Sequence, residues 1–333
     1  MTGQQTQHRV NKNVVSPRPR HSLDRRPEGR SDITMEQSAI PRLLGVDFGG
    51  TKMAIGVGDA DGRLLVSERL PTHAEQGAQQ ALTRALDRAR ELVARTGGTL
   101  VAAGIASPGV VHDHDIELAP NVPGWEQLRL ADAVRAHLGL TSVRVSNDLN
   151  AAAYAELRLG ALRGIDPGLV IGIGTGVAAA VTVGGEVMAG FHGAAGEIAY
   201  GLTDHSWPAG LEPMLETTFS GRALDELAQR LGLTGQAAAL CTAAAQPGRA
   251  RDELRQRVDE LARQLVTCCL LLDPQRIVLV GSVAGNEVVR ELLIERLTHA
   301  LPYRPDIVLS AFAQDAALLG SLAMAMEALP APV

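Results

Sequence analysis

One plan occurs twice in this chain and restricts it more than any other feature: an apolar strand-like run, a glycine-rich turn, and a second run able to return antiparallel. It appears first in LLGVDFGGTKMAIGVGD, around Asp47-Phe48-Gly49-Gly50-Thr51-Lys52, and again in GLVIGIGTGVAAAVTVGGEV, around Gly172-Ile173-Gly174-Thr175-Gly176. Glycines at such a turn leave backbone N–H groups free to point at an anion with no Cβ in the way. One turn of this kind is equally well a hairpin connection. Two at matching places predict loops that face each other across a cleft and clamp a polyphosphate from both sides. Asp47, where the first run breaks, adds a hard oxygen ligand for Mg²⁺, directly or through water. Neither turn has the GxxxxGK[ST] pattern of P-loop proteins or the GxGxxG pattern of dinucleotide folds. The duplication lies in element order and has no sequence period, so a solenoid is excluded.

At 333 residues the chain exceeds one comfortable core, and two packed lobes are expected. RLLVSERL extends the opening hairpin into an antiparallel meander. Residues 75–95 carry apolar positions at helical spacing and TLVAAGIA reads as a buried strand, which predicts a β-α-β crossover into a parallel sheet. SVRVS at 142–146 is another strand, and NDLNAAAYAELRLGA begins with capping residues and runs as a helix to near Gly160. Asp148 therefore sits at a strand-to-helix junction. Later helices are expected over about 220–232, 250–272, 286–299 and 314–328, alternating with DPQRIVLVGS and DIVLS. The expected division is an N-terminal α/β lobe over 41–147, rejoined by 314–328, and a C-terminal α/β lobe over 148–313. Residues 1–40 are rich in Arg, Pro, Gln, Asn and Ser and are expected to form a disordered tail, with Met35 a candidate start.

Hydrophobic residues make up 46% and charged residues 20% of the chain, the balance of a globular enzyme. A net charge of −6 leaves no global basic footprint, so nucleic acid is not expected as a partner. Cys241, Cys268 and Cys269 have no CxxC spacing, and the adjacent pair is poorly placed to bridge, which fits a reducing cytoplasm. No apolar run reaches membrane length and no apolar leader is present, so neither membrane insertion nor export is expected.

Seven stretches in order, VDFGGTK, GIASPGVV, APNVPGW, SNDLNAAAYAE, GIGTGV, GAAGEI and DPQRIVLVGSVAG, resemble the ROK family of sugar kinases and repressors over residues 42–328. The resemblance implies an α/β, actin-like ATPase (ribonuclease H-like) fold with two similar lobes around a central cleft. It implies ATP with Mg²⁺ and a small sugar or polyol as acceptor. Phosphate contacts would come from Asp47, Gly49, Gly50, Thr51 and Lys52 and from Gly174, Thr175 and Gly176, with Gly281 and Ser282 on the adenosine side. The general base would be Asp148. A carboxylate within hydrogen-bond reach can accept the proton of an alcohol, a poor nucleophile, as the O–P bond forms. A helix N-cap is the structural alternative for that residue. Asn121, Asn147, Glu197 and Glu216, with Asp148, would bind the acceptor, because amides and carboxylates each bond two neighbouring hydroxyls. Plain surface charge is the alternative for the two glutamates.

The sequence also departs from the family it resembles. Family glucokinases read GEIGH and then CxCGxxGCxE, one His and three Cys holding a structural zinc. Here GEIAYG and WPAGLEPMLE place Tyr200, Trp207, Ala209 and Met214 at those positions, so no zinc is expected and apolar packing of Trp207 and Met214 would hold the loop. The family His also touches sugar, so its loss leaves the acceptor open, and His192 and His205 are candidates to replace it. Val177-Ala178-Ala179-Ala180 stands where relatives carry glycines and is expected to narrow the space beside the nucleotide. His112-Asp113-His114-Asp115 has metal-binding residue types on an expected surface loop. The leading expectation is γ-phosphoryl transfer to the primary hydroxyl of a hexose, glucose by default. The alternatives are a C7-cyclitol of the valienol or valiolone type and N-acetylmannosamine. A sugar-responsive repressor would need a helix-turn-helix ahead of the core, and residues 1–40 offer no pair of amphipathic helices. A homodimer is compatible with the family resemblance.

Overall fold

The computed structural model of the chain describes residues 40–112, 115–119, 121–203 and 214–329. The opening runs form β1 (Pro41–Phe48), β2 (Lys52–Gly58) and β3 (Leu64–Pro71), paired antiparallel in sequence order. Four consecutive residues of β1, Leu43 to Val46, are buried, whereas β3 alternates inside and outside along its length, the pattern of a central strand and an edge strand. Helix α1 (Ala78–Thr96) buries Ala81, Leu82, Ala85, Leu86, Ala89 and Leu92, an apolar stripe at i, i+3 and i+4 spacing. It returns the chain to β4 (Thr99–Ser107), parallel to β1. A small hairpin, β5 (Val110–Val111) with β6 (Ile116–Glu117), and α2 (Leu130–Leu138) lead to β7 (Ser142–Asn147), parallel to β4.

After α3 (Asp148–Arg158) the plan repeats. β8 (Gly168–Ile173), β9 (Val177–Val183) and β10 (Glu186–Met188) form the second meander. Helices α4 (Leu215–Thr218), α5 (Gly221–Arg230), α6 (Gln236–Ala244) and α7 (Arg249–Leu272) precede β11 (Arg276–Val280), and α8 (Glu287–Ala300) precedes β12 (Asp306–Leu309). The two sheets have the orders β3-β2-β1-β4-β7 and β10-β9-β8-β11-β12, one topology used twice. Helices α2 and α6 go beyond the sequence reading. α2 is nine residues long and buries only Leu130 and Val134, too short a stripe to stand out, and α6 is a run of small residues with little contrast between its faces and no clear 3.6-residue period.

Helix α9 (Ala316–Glu327) packs against β1 and β4 and against α3, so the end of the chain contacts the sheet with which it began. The approach is backbone to backbone: a Cβ at Gly104 would lie 1.8 Å from the Ser321 carbonyl oxygen, and one at Gly320 would lie 1.6 Å from that of Ala151. Glu327 closes the end of this packing by accepting from Arg144 of β7 at 2.6 Å and Arg158 of α3 at 2.5 Å. Large cores fill the α1–α2 face of the first sheet and the α5–α8 face of the second. The cysteines are free thiols, and among the described residues no helix is long and apolar enough to cross a membrane.

Candidate active site

Strand pairing delivers the first glycine turn. Asp47 lies in β1 opposite Ala54 of β2 and Ala106 of β4, at the point where the strand stops. Gly49, Gly50 and Thr51 turn the chain, and the Gly49 N–H donates to the Lys52 carbonyl at 3.0 Å to close the loop. Thr72, fully buried after β3, supports it: its Oγ1 donates to the Gly49 carbonyl at 2.6 Å and its N–H to the Thr51 carbonyl at 2.9 Å. The sequence reading missed Thr72 because nothing local marks a threonine at a strand end as a buttress. Thr51 and Lys52 are exposed at the tip.

Gly174, Thr175 and Gly176 make the second turn, closed by the Gly174 N–H on the Gly176 carbonyl at 3.0 Å. This loop rests on the start of α5: the Gly221 N–H donates to the Gly174 carbonyl at 2.8 Å and the Arg222 N–H to the Thr175 carbonyl at 3.3 Å. Gly281 sits beneath it with φ +106°, where a Cβ would lie 2.3 Å from the Ile173 carbonyl oxygen, so this position requires glycine on two counts. Beside the loop is a cavity of about 390 Å³ lined by Thr175, Arg222, Asp225, Gln236, Ala237 and Ser282, among others. Ser282 was legible in the sequence, but the α5 and α6 wall was not, since it carries no motif. The Val177–Ala180 expectation is corrected here. Val177 and Ala179 pack into the core under α5–α8, and Ala178 and Ala180 pack against the other face of β9, so their methyls fill the two core layers instead of narrowing the nucleotide space.

The N-cap of α3 is Asn147, not Asp148. Asn147 Oδ1 accepts from the N–H groups of Leu149 and Asn150 at 2.9 and 3.3 Å, and its Nδ2 donates to the Gly109 carbonyl at 3.0 Å. That division of labour leaves the Asp148 carboxylate outside the cap, accepting the Leu149 N–H at 2.7 Å. Its carboxylate is open to solvent yet surrounded by protein, the situation of a group on a cleft floor, and this desolvation raises its pKa against the opposing backbone bonds. Asp47 is pushed up to about 7, by burial first and by the charge of Asp148 second, while Arg69 pulls the other way. Glu197 is raised by burial, then by Asp148 and Glu216. The Tyr200 phenol is raised by burial, then by Glu197 and Glu216.

These mutual influences draw the predicted residues into one neighbourhood running from Asp47 through Asp148 and Glu197 to Glu216. Glu216 reaches the second turn, where its Oε2 accepts the Val177 N–H at 3.3 Å and a Cβ at Gly176 would lie 2.4 Å from the same oxygen. Asn121 reaches the first turn, its Cβ lying 3.2 Å from where a Gly50 Cβ would be. Trp125, buried and donating Nε1–H to Ser107 Oγ at 2.9 Å, anchors the segment that carries Asn121. Both glutamates are half-buried, so the surface-charge alternative does not describe them.

His192 is exposed and packs edge-on against the Phe191 ring, with centroids 4.8 Å apart. His205, Trp207 and Ala209 lie outside the described residues, as do Asp113 and His114; Met214 bridges to Leu202. Among the described residues no three His, Cys, Asp or Glu side chains gather as a metal-binding group.

Two sheets of one topology, each with a glycine turn on its first hairpin, define an actin-like ATPase fold. The ROK family profile matches residues 43–328, and the chain belongs to that family. It is 36% identical to the glucokinase of Streptomyces coelicolor over 159 residues, 47% of this chain and 48% of that one, so this match spans about half the relative's length. To the N-acetylmannosamine kinase of Shigella boydii serotype 18 it is 32% identical over 290 residues, covering 85% of this chain and 97% of the relative. The crystal structure of a ROK family glucokinase from Streptomyces griseus, in complex with glucose and AMPPNP, superposes with a TM-score of 0.71 at 28% identity, over 86% of this chain and 99% of that one.

Proposed function

We propose that this chain is an ATP-dependent sugar kinase that transfers the γ-phosphoryl group to the primary hydroxyl of a hexose, with glucose the first acceptor to test. The observation that carries the reading is Asp148, at the start of α3 next to the Asn147 cap and close enough to Asp47 and Glu197 for its charge to raise the pKa of both. ATP would lie with its phosphates between the two glycine turns and its nucleoside in the cavity beside Thr175 and Ser282. Asn121, Glu197 and Glu216 would orient the acceptor ring, and Asn147 would act mainly by fixing the turn that presents Asp148. Asp148 would accept the hydroxyl proton as the oxygen attacks phosphorus; its raised pKa makes it a stronger base than an ordinary aspartate.

The residues fit Mg²⁺ carried with ATP. Asp47 is a hard carboxylate at the strand end beside the first glycine turn, and one such ligand with phosphate oxygens and waters suffices for this ion. When bound, Mg²⁺ supplies charge neutralisation at the phosphates. The two halves are proposed to act as lobes that close on the acceptor and exclude water.

N-acetylmannosamine is the second acceptor to consider, favoured by a match that runs nearly the full length of an N-acetylmannosamine kinase. Tyr200, half-exposed beside Glu197 and Glu216, is placed to bear on the choice, and a C7-cyclitol is a third candidate. ADP release measured with glucose, mannose, fructose, N-acetylmannosamine and valiolone as separate acceptors ranks them. ATP binding without turnover on any acceptor would remove the sugar-kinase reading.

A further inference from the structure

A second cavity, of about 600 Å³, lies between β7, α2, the β5–β6 hairpin and the segment 189–193 after β10. Its volume is that of a pocket for a small organic ligand. Asp47, Asp148, Glu197 and Glu216 do not line it, and it adjoins the site described above only through Asn147. It does share the first turn of α3, where Asn147 and Asn150, three residues apart, contribute to its wall.

The two asparagines differ in one respect. Asn147 is committed at both ends of its carboxamide. Asn150 is only 6% exposed, and its carboxamide has no hydrogen-bond partner among the described residues. A carboxamide so placed can both donate to and accept from a ligand hydroxyl. On the hairpin side His112 Nε2 is likewise buried with no hydrogen-bond partner among the described residues, the Glu117 carboxylate lying 3.6 Å away.

Arg129 and Arg135 also line this cavity, but they are already engaged. Both donate to Asp132, at 2.9 and 3.0 Å, and Arg135 also reaches the carbonyls of Thr141 and Val143 at 3.4 and 3.3 Å. With Asp115 on the wall the two cations are balanced by two carboxylates, which disfavours an anionic ligand. Phe191, 97% exposed at the wall, offers a flat apolar face. Unpaired hydrogen-bonding groups, an aromatic face and no net charge suit a sugar or polyol.

We propose that this cavity is a second carbohydrate site, taking a neutral polyhydroxylated molecule of mono- to disaccharide size, with Asn150 and His112 bonding its hydroxyls and Phe191 covering its apolar face. The test is isothermal titration of the full chain with maltose in the absence of ATP, on the wild type, Asn150→Ala and Ala189→Trp. Ala189 is exposed and lines the cavity, so the indole fills it without entering the core. The wild type is expected to bind one maltose, Asn150→Ala to bind at least about tenfold more weakly, and Ala189→Trp to lose binding at an unchanged Tm. No binding to the wild type, or binding that neither variant alters, would overturn the proposal. Binding of glucose 6-phosphate in place of maltose would overturn the neutral assignment. No turnover enters the assay, so its outcome is independent of the kinase reading.

Discussion

Replacing Asp47 by Asn removes a carboxyl group whose folded-state pKa is pushed from 3.8 to about 7. Between those values the folded chain holds a proton that the unfolded chain has released, so stability falls as pH rises, by about 1.4 kcal/mol per pH unit, and the loss is complete above the folded-state value. For a carboxylate sealed from water the whole interval amounts to roughly 4 kcal/mol, of which about 2.7 kcal/mol falls above about pH 5. Asp47 is half-buried at a cleft, where water screens part of the charge, and about 2 kcal/mol is the expected effect. Urea denaturation of wild type and Asp47→Asn from about pH 5 to about pH 8, with EDTA present, measures it. The variant should gain stability over the wild type by that amount as pH rises. Parallel stability profiles would refute both the burial of Asp47 and its proximity to Asp148.

Gly176→Ala should leave the fold within about 1 kcal/mol of wild type, because the new methyl meets the movable end of Glu216. By displacing that carboxylate from the Val177 N–H it should raise the acceptor KM about tenfold, more than it weakens ATP binding, as steady-state kinetics would show. Trp125→Ala should cost about 3–5 kcal/mol in chemical denaturation, from the lost ring packing against Phe48 and the lost Nε1–H bond to Ser107 Oγ.

Legibility in the sequence followed the physics of each segment. The strand–turn–strand units showed through because buried strands need apolar runs and their turns need glycine, and the order of β1, β2 and β3 and of β8, β9 and β10 follows from that alone. The junction placed Asp148 and the family resemblance singled it out, but the sequence did not show that Asn147 would take the capping role in its stead. Thr72 and the α5–α6 wall were invisible because their contribution depends on tertiary contacts between segments with no local signal. The Val177–Ala180 methyls were misjudged because a strand between two core layers buries both of its faces, and the sequence alone did not show that β9 was such a strand.

The central claim is that Asp148 takes the acceptor's proton. With the best acceptor from the ADP-release screen, Asp148→Ala should lower kcat by about 10²- to 10⁴-fold. Its affinity for a non-hydrolysable ATP analogue should match the wild type. A variant that retains near-normal kcat would contradict the account.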